Sequence, residues 1–331
     1  MKPTNYLIIT LILFFFISCQ GNKKTYHHEV GEVFTTRFNI RYKYNRSLRE
    51  EILAEFEKFN NSLNPFRPNS IISKVNRNEP VELDSFFVNV FQKAMQVSAV
   101  TGGAFDITVS PLINAWGFGF QNMDNVTPEV IDSLRKFVGF EKIRINAEGS
   151  IEKDDPRVQL NMSAIAKGYA ADVIANLLRR HGIENFMVEI GGDLVAQGVN
   201  ANGNCWRIGI ESPSHNLLDR QLQTIVFICN KGMTTSGNYR NFRIIDGRKV
   251  GHTIDPRTGF PSEQNILSAT VIADTGIVAD AYATAFMVLG IEKSRELAKT
   301  LPGLYYYFIY AQPDGSFGVV YSDGFEQFFA D

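Results

Sequence analysis

The sequence predicts an α+β fold, a single domain of mixed and antiparallel sheets with flanking helices. Two observations predict it. Helical and strand-like stretches come in mixed order, without the regular βα alternation of a doubly wound sheet. No repeat of solenoid period and no low-complexity linker divides the chain. At 331 residues, 44% hydrophobic and 21% charged, with a net charge of −2, the balance is that of an ordinary globular protein with material for a large core. So small a net charge argues against both a nucleic-acid partner and a disordered acidic tail.

The N-terminus differs from the rest. "LIITLILFFFI" (Leu7–Ile17) is almost wholly apolar and follows one Lys. A run of about 11 residues is too short to span a hydrocarbon core of roughly 30 Å, and suits a signal peptide. The "SCQGNKK" that follows resembles a bacterial lipoprotein processing site with Cys19 as the lipidated residue, although Phe16 stands where that motif usually has Leu. The alternative is an ordinary signal peptide with an incidental Cys; either way the mature protein leaves the cytoplasm. The expected organisation is a signal peptide over 1–18, a lipidated Cys and polar tether over 19–30, and one domain over 31–331. Cys205 and Cys229 lie in apolar, strand-like stretches where buried free Cys is common, and are expected unpaired.

In "FTTRFNIRYKY", Phe34, Phe38, Ile40, Tyr42 and Tyr44 share one parity, the pattern of a half-buried strand. Ser47 with Glu50 reads as a capping box opening a helix along Leu48, Ile52, Phe56, Phe59 and Leu63, which Pro65 stops. A second helix is expected from about Asp84 to Val100, and a third from Thr127-Pro128, a cap followed by Pro at the first helical position. A short strand is expected around Val158–Leu160, then a helix through "SAIAKGYAADVIANLLRRHG" that stops at Gly182. Strands follow at Phe186–Ile190, Leu194–Gly198, Trp206–Ile210, Leu222–Ile228 and Ile266–Ile272. Helices at Gly276–Leu289 and Ile291–Thr300 precede a C-terminal hairpin turning at Asp314-Gly315.

Function is concentrated in a few blocks. "GHTIDPRTGFP" sets His252, Asp255 and Arg257 among Pro and Gly, so it is a loop, and such a loop invites binding. "GGAFDITVSPL" holds Phe105 and Asp106 behind paired glycines, and "NMSAIAKGYAAD" puts Lys167 near a helix start. "EIGGD" ends an apolar strand, "TTSGNYRNF" offers hydroxyls and Arg240, and "ADAYATAF" places Asp280 and Thr284 one helical turn apart on one face. Singly, each has a plain structural reading: a solvated acid, a surface cation, a tight turn, a core phenylalanine.

Together and in this order, with "RPNSIISKVN", "WGFG" and "DAYATAFMVLG", the blocks resemble the ApbE family of flavin transferases from about Phe34 to Phe325. The resemblance implies a T-fold-like architecture, export, lipid attachment, and use of FAD with Mg²⁺. It implies transfer of FMN from FAD to a Thr or Ser hydroxyl of a target protein with release of AMP. The expected acceptors are flavin-bearing subunits of membrane redox complexes. Two rival readings share the site: hydrolysis of FAD to FMN and AMP, and FAD storage by a non-enzymatic lipoprotein.

By the same resemblance, Asp280, Thr284 and the Ala164 carbonyl would hold Mg²⁺, a hard ion that takes oxygen ligands. Lys167 would offer its charge to FAD. Phe34, Phe66 and Phe105 match positions lining the flavin or adenine, and Ala104 and Asp106 belong to the same flavin-contacting block. Thr253 would contact FAD. Asn161 faces it where the family commonly has Asp; the amide can still accept, but brings no charge. His252 is the candidate base for the acceptor hydroxyl, with Asp280 as the other catalytic residue, while Asp255 and Arg257 would fix the loop.

Overall fold

A computed structural model describes residues 24–119, 126–213, 221–238, 242–245 and 248–330, without the side chains of 239–250. The apolar N-terminal run, Cys19 and Arg240 lie outside the described residues. Strand β1 (Thr25–Val33) pairs antiparallel with β2 (Thr36–Tyr44) through the two-residue turn Phe34-Thr35, whose φ values are 51° and 61°. Such left-handed pairs match the twist of a hairpin. The expected tether is therefore strand from Thr25 onward. Its anchor is Glu29, a buried carboxylate that accepts hydrogen bonds from Tyr42 (3.1 Å) and Ser47 (2.7 Å).

That pairing also explains why the expected capping box does not form. Ser47 turns its hydroxyl to Glu29, and helix α1 (Arg49–Leu63) starts behind Leu48 with no side-chain cap. Two short helices, α2 (Ile71–Asn76) and α4 (Ser110–Ala115), flank α3 (Ser85–Val100), which Asp84 caps through the Phe87 amide. Thr127 caps α5 (Pro128–Arg135) as its sequence suggests. The hairpin β3 (Ile143–Ile145) and β4 (Ile151–Lys153) follows. Val158–Leu160 is not a strand. Instead, the Asn76 side chain accepts from the Leu160 amide (2.7 Å) and donates to its carbonyl (2.9 Å), replacing a neighbouring strand.

Helix α6 (Ser163–Arg180) precedes β5 (Phe186–Ile190), β6 (Asp193–Gln197), β7 (Trp206–Glu211), β8 (Leu222–Ile228) and β9 (Lys231–Gly237). Hairpin β10 (Phe242–Ile245) and β11 (Arg248–Gly251) leads to β12 (Ile266–Ala273). Helix α7 (Gly276–Ala298) is interrupted at Gly290 (φ 76°), where two helices are expected from the sequence. Strands β13 (Tyr305–Ala311) and β14 (Phe317–Tyr321) close the chain.

Eight strands form one sheet in the order β1-β2-β5-β6-β9-β12-β13-β14, every neighbour antiparallel. Alternation along each strand gives it two apolar faces. One face, with Phe38, Val188, Val195, Val271 and Phe308, packs under α1, α3, α6 and α7 as the main core. The other, with Met187, Leu194, Ile272 and Ile309, is covered by β7, β8 and the C-terminal turn around Phe325. A smaller cluster around Leu112, Ile131 and Ile254 sits beneath the loop that carries His252.

Cys205 and Cys229 are joined in a disulfide, with Cα atoms 5.2 Å apart, which corrects the expectation of free thiols. The register pairs Trp206 with Ile228, so the residues just outside that pair face each other. Composition alone does not reveal a register. Closing a loop over a sequence separation of 24 restricts the unfolded chain. Replacing both cysteines by Ser is therefore expected to cost about 3 kcal/mol, read as a lower urea midpoint with a steeper slope, because the released unfolded chain exposes more surface. An unchanged midpoint would show that the bridge contributes nothing.

Candidate active site

Two helices bring the charged groups together. Gly168 of α6 meets Gly276 of α7 backbone to backbone: a Cβ on Gly168 would lie 2.2 Å from the Gly276 oxygen, and one on Gly276 2.4 Å from the Gly168 oxygen. This approach lets the Gly168 N–H donate to Asp280 Oδ2 at 2.9 Å. Asp280 is buried, and burial together with the charge of Asp193 pushes its carboxyl up to about 7. One turn on, Thr284 Oγ1 lies 3.3 Å from Ser236 Oγ on β9.

Lys167 ion-pairs with Asp193, which is 1% exposed at the start of β6. Burial would lower the Lys167 ammonium, but the carboxylates of Asp193 and Asp280 override it and hold the ammonium above its ordinary value. Lys167 keeps 36% of its side chain exposed and lines a cleft. Asp193 is raised by its own burial, which Lys167 opposes. The cluster holds two buried acids against one ammonium.

The loop of the "GGAFDITVS" block is tied down by its own acid. Asp106 Oδ1 accepts from the Thr108 amide and hydroxyl, both at 2.7 Å, and Oδ2 accepts from the Phe140 amide at 2.7 Å. Burial lifts this carboxyl to about 6. With both oxygens engaged, Asp106 shapes the cleft wall. Asn161 Oδ1 accepts from the Ser163 amide (2.9 Å) at the start of α6, and the main-chain N–H of Asn161 donates to the Ile107 carbonyl (2.7 Å).

The opposite wall is the loop after β11. Asp255 accepts from the Arg257 amide, Nε and guanidinium at 2.8–2.9 Å, closing a small rigid ring, and Trp116 Nε1 holds the Gly259 carbonyl at 2.8 Å. Asp255 and Arg257 thus fix the loop. Thr253 Oγ1 donates to Asn238 at 2.6 Å, and the half-buried His252 ring stands edge-on to Phe118, with centroids 6.3 Å apart.

These elements enclose a cleft of about 590 Å³. Phe66, Ala104, Phe105, Asp106, Asn161, Ala164, Lys167, His252, Thr253, Asp280 and Thr284 all line it. Phe34 does not. It sits in the β1–β2 turn and packs on Phe56 and Phe59, with centroids 5.8 and 4.9 Å away. A wider hollow of about 710 Å³ lies on the other face of the sheet, lined by Arg41, Met187, Glu189 and Arg207. Of the blocks singled out in the sequence it takes in only Glu189 and Gly192 of "EIGGD", and the smaller cleft is the one that gathers chemistry.

The size of the cleft is that of a small-molecule or cofactor site, and the chain as a whole is similar to known proteins. The family model described as ApbE family matches residues 34–308. The FAD:protein FMN transferase of Vibrio cholerae serotype O1 is 34% identical over 306 residues, covering 89% of this chain and 90% of that protein. The Escherichia coli K12 protein of the same name is 34% identical over 294 residues, covering 86% and 83%. Among solved structures, the flavin transferase ApbE from Vibrio cholerae superposes with a TM-score of 0.82 at 33% identity, covering 92% of this chain and all of that one. The apo form of the Pseudomonas stutzeri flavinyl transferase ApbE gives 0.81 at 30%, covering 92% and 97%.

The chain belongs to the ApbE family.

The expected α+β architecture of mixed helices and antiparallel sheet is the one these ApbE structures share. Three supporting residues were quoted within sequence blocks but carried no role there: Asp193, Asp172 and Asn238. Only the fold shows that Asp193 pairs with Lys167 and that Asn238 holds Thr253. Removing one member of a buried pair leaves the other uncompensated. Lys167→Ala is expected to cost about 3 kcal/mol in urea unfolding, near the low end for such pairs because Lys167 stays open to the cleft. Adding Asp193→Asn should recover most of that loss. If the double variant is no more stable than the single one, the pair is not what the lysine stabilises.

Proposed function

We propose that the protein transfers FMN from FAD to a hydroxyl of an acceptor protein, releasing AMP, in a Mg²⁺-dependent reaction. The observation that carries this reading is the single cleft that gathers an imidazole, an ammonium and a buried carboxylate–hydroxyl pair, in a chain whose relatives are named FAD:protein FMN transferases. Hydrolysis of FAD by water would use the same groups, but no observation favours it over transfer.

The donor set fits a hard divalent ion. Asp280 and Thr284 present carboxylate and hydroxyl oxygens at the cleft, with Ala164 on the same wall, and the buried charge there is net negative. Among the described residues no group of three His, Cys, Asp or Glu is placed to hold a metal ion by itself. A set with one carboxylate is what Mg²⁺ needs when substrate phosphates and water complete its shell. Bound there, the ion would neutralise the diphosphate and the charge on the departing oxygen.

The chain's own residues supply the rest. Asp193 holds the Lys167 ammonium at the cleft wall, where it meets the phosphates of FAD. The Asp255–Arg257 ring fixes the loop so that His252 faces the cleft. His252 takes the proton of the acceptor hydroxyl as that oxygen bonds to the FMN-side phosphorus. The bond from that phosphorus to the bridging oxygen breaks, and AMP leaves with the oxygen. General-base catalysis of this kind contributes about 10²–10⁴-fold.

The natural acceptors in this reading are flavin-carrying subunits of membrane redox complexes, and the protein is exported and held to a membrane by a lipid on Cys19. The disulfide supports an oxidising compartment. Thr25 begins the sheet six residues after Cys19, so the tether of about 20 Å keeps the domain close to the bilayer. Cys19→Ala is expected to leave the protein unprocessed or release it from membranes. Equal retention in the membrane fraction would remove the anchor.

Acceptor flavinylation, read as fluorescence that stays with denatured acceptor, separates the catalytic roles. His252→Ala should lose about 10²–10⁴-fold in transfer while FAD affinity stays within a few-fold. Asp280→Ala should abolish transfer and hydrolysis alike. Because the Asp280 carboxyl is held up at about 7, a cation must displace its proton in acid. Mg²⁺ affinity should therefore rise with pH, by up to about tenfold per unit, and level off above neutrality. A flat pH profile in isothermal titration would exclude Asp280 as a ligand, and wild-type transfer by His252→Ala would place the base elsewhere.

A further inference from the structure

Helix α7 carries the Asp280 and Thr284 oxygens, yet the helix does not cap itself. Its N-cap residue, Thr275, makes no side-chain cap. The cap comes from another helix. Asp172, buried on α6, accepts from the Gly276 amide with Oδ1 at 2.9 Å and from the Ile277 amide with Oδ2 at 2.8 Å. A carboxylate answers both the unpaired amides and the positive end of the helix dipole. Each oxygen is engaged by a main-chain amide, and Asp172 is not among the residues that line the cleft.

The same turn of α7 sits in a slot walled by backbone. On one side is Gly168 of α6, whose added Cβ would meet the Gly276 oxygen at 2.2 Å and Asp280 Cβ at 2.7 Å. On the other is Gly232 of β9, whose added Cβ would meet the Gly276 nitrogen and the Thr275 carbonyl carbon, both at 2.5 Å. Neither wall tolerates a side chain without moving main chain. Gly168 is also the residue whose amide holds Asp280 Oδ2, which fixes the carboxylate rotamer and leaves Oδ1 for another partner. Asp172, Gly168 and Ala164 all lie on α6, so the register of α7 against α6 sets how far the Ala164 carbonyl stands from the Asp280 and Thr284 oxygens.

We propose that Asp172, acting with the Gly168–Gly276 contact, is a positioning residue that latches α7 to α6 and thereby sets the affinity of the cleft for a divalent cation. The inference rests on the Mg²⁺ reading of the cleft. The latch contributes no ligand and touches no substrate. It fixes the spacing of three oxygens drawn from two helices, and a small ion such as Mg²⁺ demands near-ideal geometry at about 2.0–2.1 Å.

The test is Mg²⁺ titration of the full-length protein by calorimetry, with thermal unfolding and riboflavin binding measured alongside. Asp172→Ala is expected to bind Mg²⁺ at least tenfold more weakly at a temperature where it remains folded, while riboflavin affinity in metal-free buffer stays within twofold. Asp172→Asn keeps one acceptor and should fall between the two; it carries the test if the alanine variant does not fold. Leu178→Ala, in the core on the far end of α6, is the control for simple destabilisation and should keep wild-type Mg²⁺ affinity. Unchanged Mg²⁺ affinity in both Asp172 variants, or an equal loss in Leu178→Ala, overturns the latch while leaving the metal reading intact. A wild-type protein that binds FAD but takes up no Mg²⁺ overturns the metal reading, and the latch's purpose with it.

Discussion

Backbone contact between α6 and α7 is the constraint on which the rest of the site depends. With glycine on both helices at the crossing, the two axes approach until main-chain atoms touch, and any side chain there would hold them apart. Only at that separation does an α6 amide reach the Asp280 carboxylate on α7. The sheet beneath reinforces the arrangement from β6 and β9, which carry Asp193 and Ser236 up against the same two helices. Groups far apart in the chain thereby converge on one wall.

Convergence of this kind is electrically unfavourable until something is added. Asp193 and Asp280 are both buried, and Lys167 is the ammonium set between their charges. Burial, with the charge of Asp193 added to it, holds the Asp280 carboxyl up at about 7. Natural sequences keep such strain where it has a use. A cation relieves it directly, whereas an anionic diphosphate alone would worsen it. On the proposed reading, these electrostatics would favour a substrate and an ion arriving together over a substrate arriving alone.

Much of this was legible in the sequence, and what was not has a physical reason. Periodicity places the amphipathic helices and the strands with alternating burial, because those signals are local. It misses β1, whose polar residues face solvent while the one inward acid, Glu29, is satisfied by Ser47 and Tyr42 from later in the chain. It reads Val158–Leu160 as strand because an alternation of apolar and polar residues looks the same whether a strand or the Asn76 side chain answers its backbone. The disulfide follows from the pairing of β7 with β8, which no single strand announces. At the site, ordered blocks lead to the residues of one cleft, with Phe34 the exception. What those blocks leave hidden is the support: Asp172 and Asp193 look like ordinary acids until the fold supplies their partners.

Asn161 illustrates how support and chemistry can be separated at one position. Its Oδ1 accepts from the Ser163 amide and its main chain is pinned to Ile107. Both interactions hold the start of α6, and neither requires a charge; a carboxylate or an amide oxygen serves equally as acceptor. The charge itself matters elsewhere. A carboxylate at 161 would add another negative group to a cleft that already carries more buried acid than base. The amide keeps the local structure and omits that repulsion. It also leaves two N–H donors beside the cleft, which an oxygen-rich substrate can use. An amide at 161 therefore preserves the scaffold while making the cleft less negative, and on the proposed reading the substrate's charge would be balanced by Lys167 and by a cation at Asp280.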